Sequence, residues 1–121
     1  MKAKNLYLQF FNLQEALHSK VQPNIDLESR RLLENIAWHY ETGNALSVTE
    51  VMELSHIASA ATIHRKLDHL RELGLIQSIH VGENRRTKYM APTKLSRSYF
   101  DGLSKLMIKT IKAHEQSTKW A

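Results

Sequence analysis

The chain has 121 residues, of which 42% are hydrophobic, and this length and composition predict one compact domain rather than a disordered chain. It contains no cysteine, which excludes a disulfide framework and a zinc site built on thiolates. The net charge of +5 permits an acidic partner, and the positive charge is concentrated late in the chain: residues 24–57 carry two Lys or Arg against six acids, whereas residues 58–90 carry six against three.

The first two predicted elements are helices. Residues 3–20 carry apolar side chains at helical spacing, and the stripe is wider than one neighbouring helix would cover. The second helix is predicted to begin at the N-cap Asp26, to run to about Glu41 and to end before Gly43. Its buried face is predicted to consist of Leu32, Leu33, Ile36, Ala37 and Tyr40.

Two shorter helices follow, each with a start signal. Ser47 and Glu50 have the spacing of a capping box, and the helix that they open is predicted to stop near residues 55–56. Ser59 is a second N-cap, for a helix that ends before Gly74. The apolar residues of this fourth helix recur on one face, and the opposite side carries polar groups; its predicted core residues are Ile63, Leu67 and Leu70.

The next segment predicts a β-hairpin and a last helix. Two β-rich runs, residues 75–81 and 86–91, flank a turn at residues 82–85, and Pro92 closes the hairpin. Thr93 is then the predicted cap of a helix that runs to about Glu115. The apolar stripe of this helix is predicted to contain Leu95, Tyr99, Leu103, Leu106 and Met107, extended by Phe100 and Ile111.

This order of elements predicts a winged helix-turn-helix that binds DNA. A recognition helix must bury its apolar stripe and present its polar face to the major groove. The small residues at 59–62 would allow the start of the helix to approach DNA closely. Arg65 is long enough to reach a guanine edge or a phosphate, while Arg85 and Arg86 at the hairpin tip can enter the minor groove or bind phosphate. The helix should therefore provide selectivity, and the hairpin should provide much of the affinity.

Residues 59–76 resemble the recognition helix and strand entry of MarR-type winged-helix regulators, and Asn84-Arg85-Arg86 resembles the Asp-Arg-Arg wing signature of that family. The resemblance covers about residues 26–95. It implies a transcriptional regulator that binds double-stranded DNA as a homodimer, with the dimer built from the terminal helices. Two differences stand out: Asn84 replaces the acid of the wing, and the chain has less helix after the wing than these proteins usually carry.

The predicted fold class is mainly α with a small β-hairpin wing (α+β), a winged helix-turn-helix with flanking N- and C-terminal dimerisation helices. Residues 1–121 form one domain, with a core at 24–92 and dimerisation helices at 1–23 and 93–116. The predicted DNA-binding residues are Ser47, Thr49, Ser59, Ala61, Thr62, His64, Arg65, Lys66, His69, Arg85, Arg86 and Lys88. The predicted dimerisation residues are Leu6, Tyr7, Phe10, Phe11, Tyr99, Phe100, Leu103 and Met107.

No catalytic constellation is predicted, because no nucleophile–base set, carboxylate pair or glycine-rich phosphate loop stands out. His64 and His69 are five residues apart, a spacing that does not place two metal ligands on one helix face. The chain is therefore expected to be no enzyme and to hold neither metal nor cofactor. Asp68 could orient Arg65, Arg85 or Arg86, accept from a cytosine amino group, or be a solvated residue without a role.

Two alternative functions remain open at this point. The chain could be a replication, partition or recombination accessory protein of a plasmid or phage, or a winged-helix module that binds another protein. The sequence has no signal-peptide core and no run of about 18 apolar residues, so we expect a cytoplasmic protein without membrane contact. Whether a small-molecule effector controls it, and which sequence it would bind, do not follow from the residues.

Overall fold

The computed structural model describes residues 5–20 and 25–119. The described part of the chain is mainly helical with one antiparallel hairpin, as predicted. Residues 25–97 form one compact unit, and α1 together with α5 from Ser98 onward forms another. The elements in chain order are α1 (Leu6–Lys20), α2 (Leu27–Glu41), α3 (Val48–Met52), α4 (Ala60–Glu72), β1 (Ile76–Val81), β2 (Asn84–Pro92) and α5 (Lys94–Lys119).

The starts of the helices follow from local hydrogen bonds. α1 begins at Leu6, where Asn5 Oδ1 accepts the N–H of Leu8 at 3.0 Å, and the predicted start at residue 3 lies outside the described residues. The three predicted N-caps of the next helices are confirmed, since each side chain accepts a backbone N–H of the first turn of its helix. These caps are Asp26, Ser47 and Ser59.

The capping box of α3 is complete. Ser47 Oγ accepts the N–H of Glu50 at 3.2 Å, and the Glu50 carboxylate accepts the N–H of Ser47 at 3.0 Å. Because the backbone N–H of Ser47 stabilises the charged carboxylate, the pKa of Glu50 lies below its ordinary value. α3 ends at Met52, earlier than the predicted 55–56, because a turn with the Ile57 N–H bonded to the Leu54 carbonyl at 2.9 Å follows it.

The core of the unit at residues 25–97 lies where α2, α3 and α4 meet the hairpin. The predicted core faces of α2 and α4 are confirmed, except that Tyr40 is only half-buried. Each fully buried aliphatic side chain contributes about 1.5–3 kcal/mol of transfer free energy, so these faces hold the helices together. The core side chains with at most 2% exposure include Leu32, Leu33, Ile36, Val51, Ile63, Leu67, Leu70, Leu75, Ile76 and Met90.

The hairpin turn is shorter than predicted. It consists of Gly82 and Glu83 rather than residues 82–85, because Asn84 already pairs with Val81. Gly82 supports this tight turn with a φ of +62°, a backbone region that other residues rarely adopt. Asn84 and Arg85, which were predicted to lie in the turn, therefore belong to β2.

Backbone bonds join the hairpin to the helices of the same unit. Ser47 forms an isolated antiparallel bridge with Tyr89, and the N–H of Met90 donates to the Leu46 carbonyl at 2.8 Å. Gly74, with φ of +73°, turns the chain from α4 into β1 as expected. The residues just before α3 are thus joined to β2 by backbone hydrogen bonds.

The last helix is capped as predicted. Thr93 Oγ1 accepts the N–H of Ser96 at 3.3 Å and donates to the Gly74 carbonyl at 2.6 Å. Pro92 is the buried final residue of β2 rather than a breaker after it, and α5 continues past Glu115 to Lys119. Among the described residues, no helix has the length and apolar character needed to cross a membrane.

Candidate nucleic-acid interface

α4 presents a polar face opposite its buried stripe. Ile63, Leu67 and Leu70 face the core, whereas the other side of the helix is open to solvent. Small side chains at its start leave the backbone accessible, which suits a helix that must approach another surface closely. The exposed residues of this face are Ala61, His64, Arg65, Asp68, His69 and Glu72, whereas Thr62 is half-buried.

A row of hydrogen bonds runs along the N-terminal half of α4. Ser59 Oγ caps the helix and lies 3.0 Å from Thr62 Oγ1. Arg65 Nη2 donates to the same Thr62 hydroxyl at 3.2 Å. The Arg65 guanidinium is thereby directed toward the start of the helix, and we call Ser59, Thr62 and Arg65 the α4 row.

Asp68 has partners that the sequence did not indicate. Its carboxylate accepts from Arg71 Nη1 at 3.2 Å and lies 3.5 Å from His64 Nδ1. Asp68 therefore contacts one residue in the preceding turn of α4 and one in the following turn, and its ion-pair partners are neither Arg65 nor the wing arginines. All three side chains are largely exposed, so these contacts contribute little to stability.

Lys66 lies apart from the exposed cations of α4. Its ammonium is 2.7 Å from Asp26 Oδ2 and 3.8 Å from Glu28 Oε1, and its side chain is only 24% exposed. Partial burial raises the pKa of Asp26, but hydrogen bonds from Lys66 and from the Ser29 N–H outweigh this and lower it to about 2. Lys66 was predicted to bind DNA; in the structure its ammonium contacts two acids at the start of α2.

The tip of the hairpin displays basic side chains, and we call residues 82–88 the wing. Asn84 Oδ1 accepts the N–H groups of Arg86 and Thr87 at 3.0 and 3.2 Å, which fixes the backbone just after the turn. The strand register shifts between Ile79 and Val81, opposite the basic residues, so that β2 bulges there. Arg85, Arg86 and Lys88 are exposed, and none pairs with an acid within the described ranges 5–20 and 25–119.

The remaining predicted contact residues lie at the start of α3. Thr49 is exposed there, whereas the hydroxyl of Ser47 is engaged in the capping box. His80 was not singled out by the sequence; its Nδ1 lies 3.3 Å from the Thr87 carbonyl, on the wing. Within the described part of the chain, no group of three or more His, Asp or Glu residues is arranged to hold a metal ion.

Solved structures share this arrangement of elements. RV1404 from Mycobacterium tuberculosis superposes with a TM-score of 0.63 and 18% identity over 91% of this chain and 74% of its own. Staphylococcus aureus MarR, solved with salicylate and kanamycin, superposes with a TM-score of 0.52 and 18% sequence identity; the match covers 93% of this chain and 68% of that protein. The chain has the MarR-type winged-helix fold. S. aureus MepR, solved in complex with DNA, superposes with a TM-score of 0.54 and 17% sequence identity; the match covers 95% of this chain and 88% of that protein.

The similarity is one of structure rather than of sequence. No protein-family profile matches the chain, and no curated protein matches it in sequence. In this MarR-type fold, α3 and α4 form the helix-turn-helix, and residues 76–92 form the winged hairpin. The wing position that resembles the family's acid is Asn84, whose side-chain oxygen accepts the backbone N–H groups of Arg86 and Thr87 rather than a guanidinium N–H.

The predicted dimerisation residues lie on α1 and α5, but not all of them are accessible. Leu6, Tyr7, Phe11 and Met107 are 38%, 66%, 44% and 50% exposed. Phe10, Phe100 and Leu103 are half-buried, and Tyr99, at 9% exposure, offers almost no surface to a second chain. The sequence analysis did not single out Ile108 of α5, which is 54% exposed.

An apolar groove lies on the same unit. Its volume is about 220 Å³, and five of its six lining residues are apolar. The sixth, Thr110, is buried, and its hydroxyl donates to the Leu106 carbonyl of its own helix at 2.7 Å. The lining is therefore mostly apolar; it consists of Leu6, Tyr7, Phe10, Met107, Thr110 and Ile111.

Proposed function

We propose that this chain is a transcriptional regulator that binds double-stranded DNA sequence-specifically as a homodimer. The observation that carries the proposal is the wing, where Arg85, Arg86 and Lys88 project from a bulged strand without an acidic partner among the described residues. Free cations on a narrow hairpin suit the phosphate backbone and the minor groove. That MepR, a protein of the same fold, was solved with DNA supports the same assignment.

The two parts of the surface have different tasks in this proposal. α4 enters the major groove, where its exposed face meets base edges and the free N–H groups of its first turn lie near a phosphate. The wing lies along the backbone and supplies affinity that depends little on sequence. Lys66 takes no part in DNA contact, because its charge is used to join α4 to α2.

A paired substitution tests the wing. Arg85→Ala with Arg86→Ala removes two cations from the wing, whereas Lys105→Ala with Lys109→Ala removes the same charge from exposed positions on α5. We expect the wing variant to weaken binding to every duplex, and the α5 variant to bind nearly as the unmodified chain does. Equal losses in the two variants would mean that net charge alone drives binding, and the wing would have no special role.

The homodimer is supported by the apolar surface of α1 and α5. Most of the exposed large apolar side chains of the described residues lie on these two helices, including Tyr7 on α1 at 66% and Ile108 on α5 at 54% exposure, and such a concentration marks an interaction surface. Tyr7→Asp should shift the chain to a monomer in sedimentation equilibrium. Trp38→Asp is the matched control, since Trp38 on α2 is 65% exposed, and this variant should remain dimeric. If Trp38→Asp separated the subunits while Tyr7→Asp did not, the dimer surface would lie on α2.

The proposed activity is binding, with no catalytic step. A regulator of this kind acts where the DNA is, so the proposal includes a cytoplasmic location. Mapping bound sites across a genome distinguishes regulation from a replication, partition or recombination role, because sites in promoters support the former and sites at an origin or attachment locus the latter. If the chain bound no duplex at low salt, a protein-binding module would replace the proposal.

A further inference from the structure

We propose that Arg65 reads a guanine in each half-site and that Thr62 is the positioning residue that holds Arg65 for this contact; the inference rests on the proposed DNA-binding function. The starting point is the α4 row. Arg65 Nη2 donates to Thr62 Oγ1 at 3.2 Å, and Thr62 Oγ1 lies 3.0 Å from Ser59 Oγ. One exposed arginine of the recognition helix is thus tethered to a hydroxyl of the same helix.

The tether uses a small part of the binding capacity of Arg65. A guanidinium has five N–H donors, and guanine presents two acceptors, O6 and N7, on its major-groove edge. With one donor directed to Thr62, four remain, which is enough for a bidentate contact with one guanine. A tethered arginine also loses less side-chain freedom on binding than a free one, because part of its ordering is completed beforehand.

The charge of Arg65 is not neutralised by the acid nearest to it along the exposed face. Asp68 lies three residues further on, but it pairs with Arg71 at 3.2 Å and with His64 at 3.5 Å. Arg65 therefore has no ion pair within the described residues and keeps its full charge for the groove. Ala61, one turn earlier on the same face, is exposed and too short to stand between Arg65 and a base.

A base contact fits this arrangement better than a phosphate contact. A phosphate can be bound by a cation in many orientations, so holding its side chain in place adds little. A bidentate contact with a base edge requires a defined guanidinium plane, which a second hydrogen bond to the helix provides. The wing already supplies three exposed cations for the phosphates.

The test is selection of bound sequences from a random duplex library with the full chain and three variants. Arg65→Ala removes the reading group, Thr62→Val removes the hydroxyl while keeping the shape of the side chain, and Thr62→Ser restores the hydroxyl. The unmodified chain should enrich a guanine at one position of each half-site. Arg65→Ala should lose that preference, Thr62→Val should weaken it by on the order of tenfold, and Thr62→Ser should retain it.

A modified base identifies the contacted atom. Replacing the enriched guanine by 7-deazaguanine removes the N7 acceptor, and this should lower the affinity of the unmodified chain but leave that of Arg65→Ala unchanged. Thermal unfolding followed by circular dichroism should give similar midpoints for Thr62→Val and Thr62→Ser, which would show that both variants are folded.

The outcomes separate this inference from the function on which it rests. If the unmodified chain bound no duplex, the proposed function would fail and the inference with it. If it bound selected sequences and Arg65→Ala kept the same guanine preference, the assignment of Arg65 alone would be overturned. An unchanged preference in Thr62→Val would overturn the positioning role of Thr62.

Discussion

The ammonium of Lys66 lies 2.7 Å from Oδ2 of Asp26, which precedes it by forty residues. Asp26 is at the same time the N-cap of α2 and accepts the N–H of Ser29 at 2.8 Å. One carboxylate thus caps the N-terminus of α2 and also pairs with Lys66 of α4, the helix proposed to enter the major groove. The orientation of α4 consequently depends on a contact made at the beginning of a different helix.

The first prediction concerns stability at low pH. The pKa of Asp26 is lowered from 3.8 to about 2, so its contribution to the free energy of unfolding is fully present above about pH 4 and is lost as the pH falls toward about 2. Because the Asp26 side chain is half-exposed, we expect solvent screening to limit the effect to about 1 kcal/mol. Urea unfolding of the unmodified chain between pH 5 and pH 2 measures it.

Asp26→Asn is the control for this prediction. Asparagine caps helices about as well as aspartate, so the variant should fold normally but lose the part of the pH dependence that Asp26 provides. A variant that loses stability toward acid as steeply as the unmodified chain would show that other carboxylates cause the change.

The second prediction compares two glycines. Gly74 has φ of +73° and nothing within 4 Å of an added Cβ, so Gly74→Ala should destabilise the fold by about 1 kcal/mol through backbone strain alone. Gly102 lies inside α5, where an added Cβ would be 4.0 Å from Leu17, an ordinary contact. Gly102→Ala should therefore stabilise by about 0.5–1 kcal/mol, since alanine favours helix. Chemical denaturation that gave the same sign for both changes would contradict the roles assigned to them.

The third prediction concerns the order of the wing. Asn84→Ala removes the acceptor for the N–H groups of Arg86 and Thr87 but leaves every cation in place. We expect duplex affinity to fall several-fold with little change in the salt dependence, because the number of phosphate contacts is kept while the backbone that presents them loosens. Asn84→Asp keeps the acceptor and is the comparison variant. Fluorescence anisotropy with a labelled duplex measures both, and an unaltered affinity of Asn84→Ala would show that the turn needs no side-chain support.

Features set by neighbouring residues could be predicted from the sequence. Asp26, Ser47 and Ser59 act within their own first turns, and helical spacing identified the buried faces of α2 and α4. The overall winged-helix arrangement followed because these local signals occur in a fixed order. The exposed face of α4 was also predicted correctly, since a face opposite a buried stripe must be open.

Features set by distant residues could not be predicted. The spacing of α4 places Lys66 beside the buried stripe, but its partner lies forty residues away, so the acid with which it pairs could not be identified. The register shift of the hairpin arises from strand pairing rather than from composition, so the turn was predicted two residues too long. The burial of Tyr99 likewise depends on packing that a helical stripe does not reveal.

The most direct test of the central claim is the salt dependence of binding to a mixed-sequence duplex. The unmodified chain should bind at low salt, and the logarithm of its affinity should fall linearly with the logarithm of the salt concentration, with a slope of about −0.9 for each phosphate contacted. Substituting Arg85 and Arg86 by alanine should make this slope shallower. An unmodified chain that showed no duplex binding at low salt, or a slope that did not change in the variant, would contradict the account.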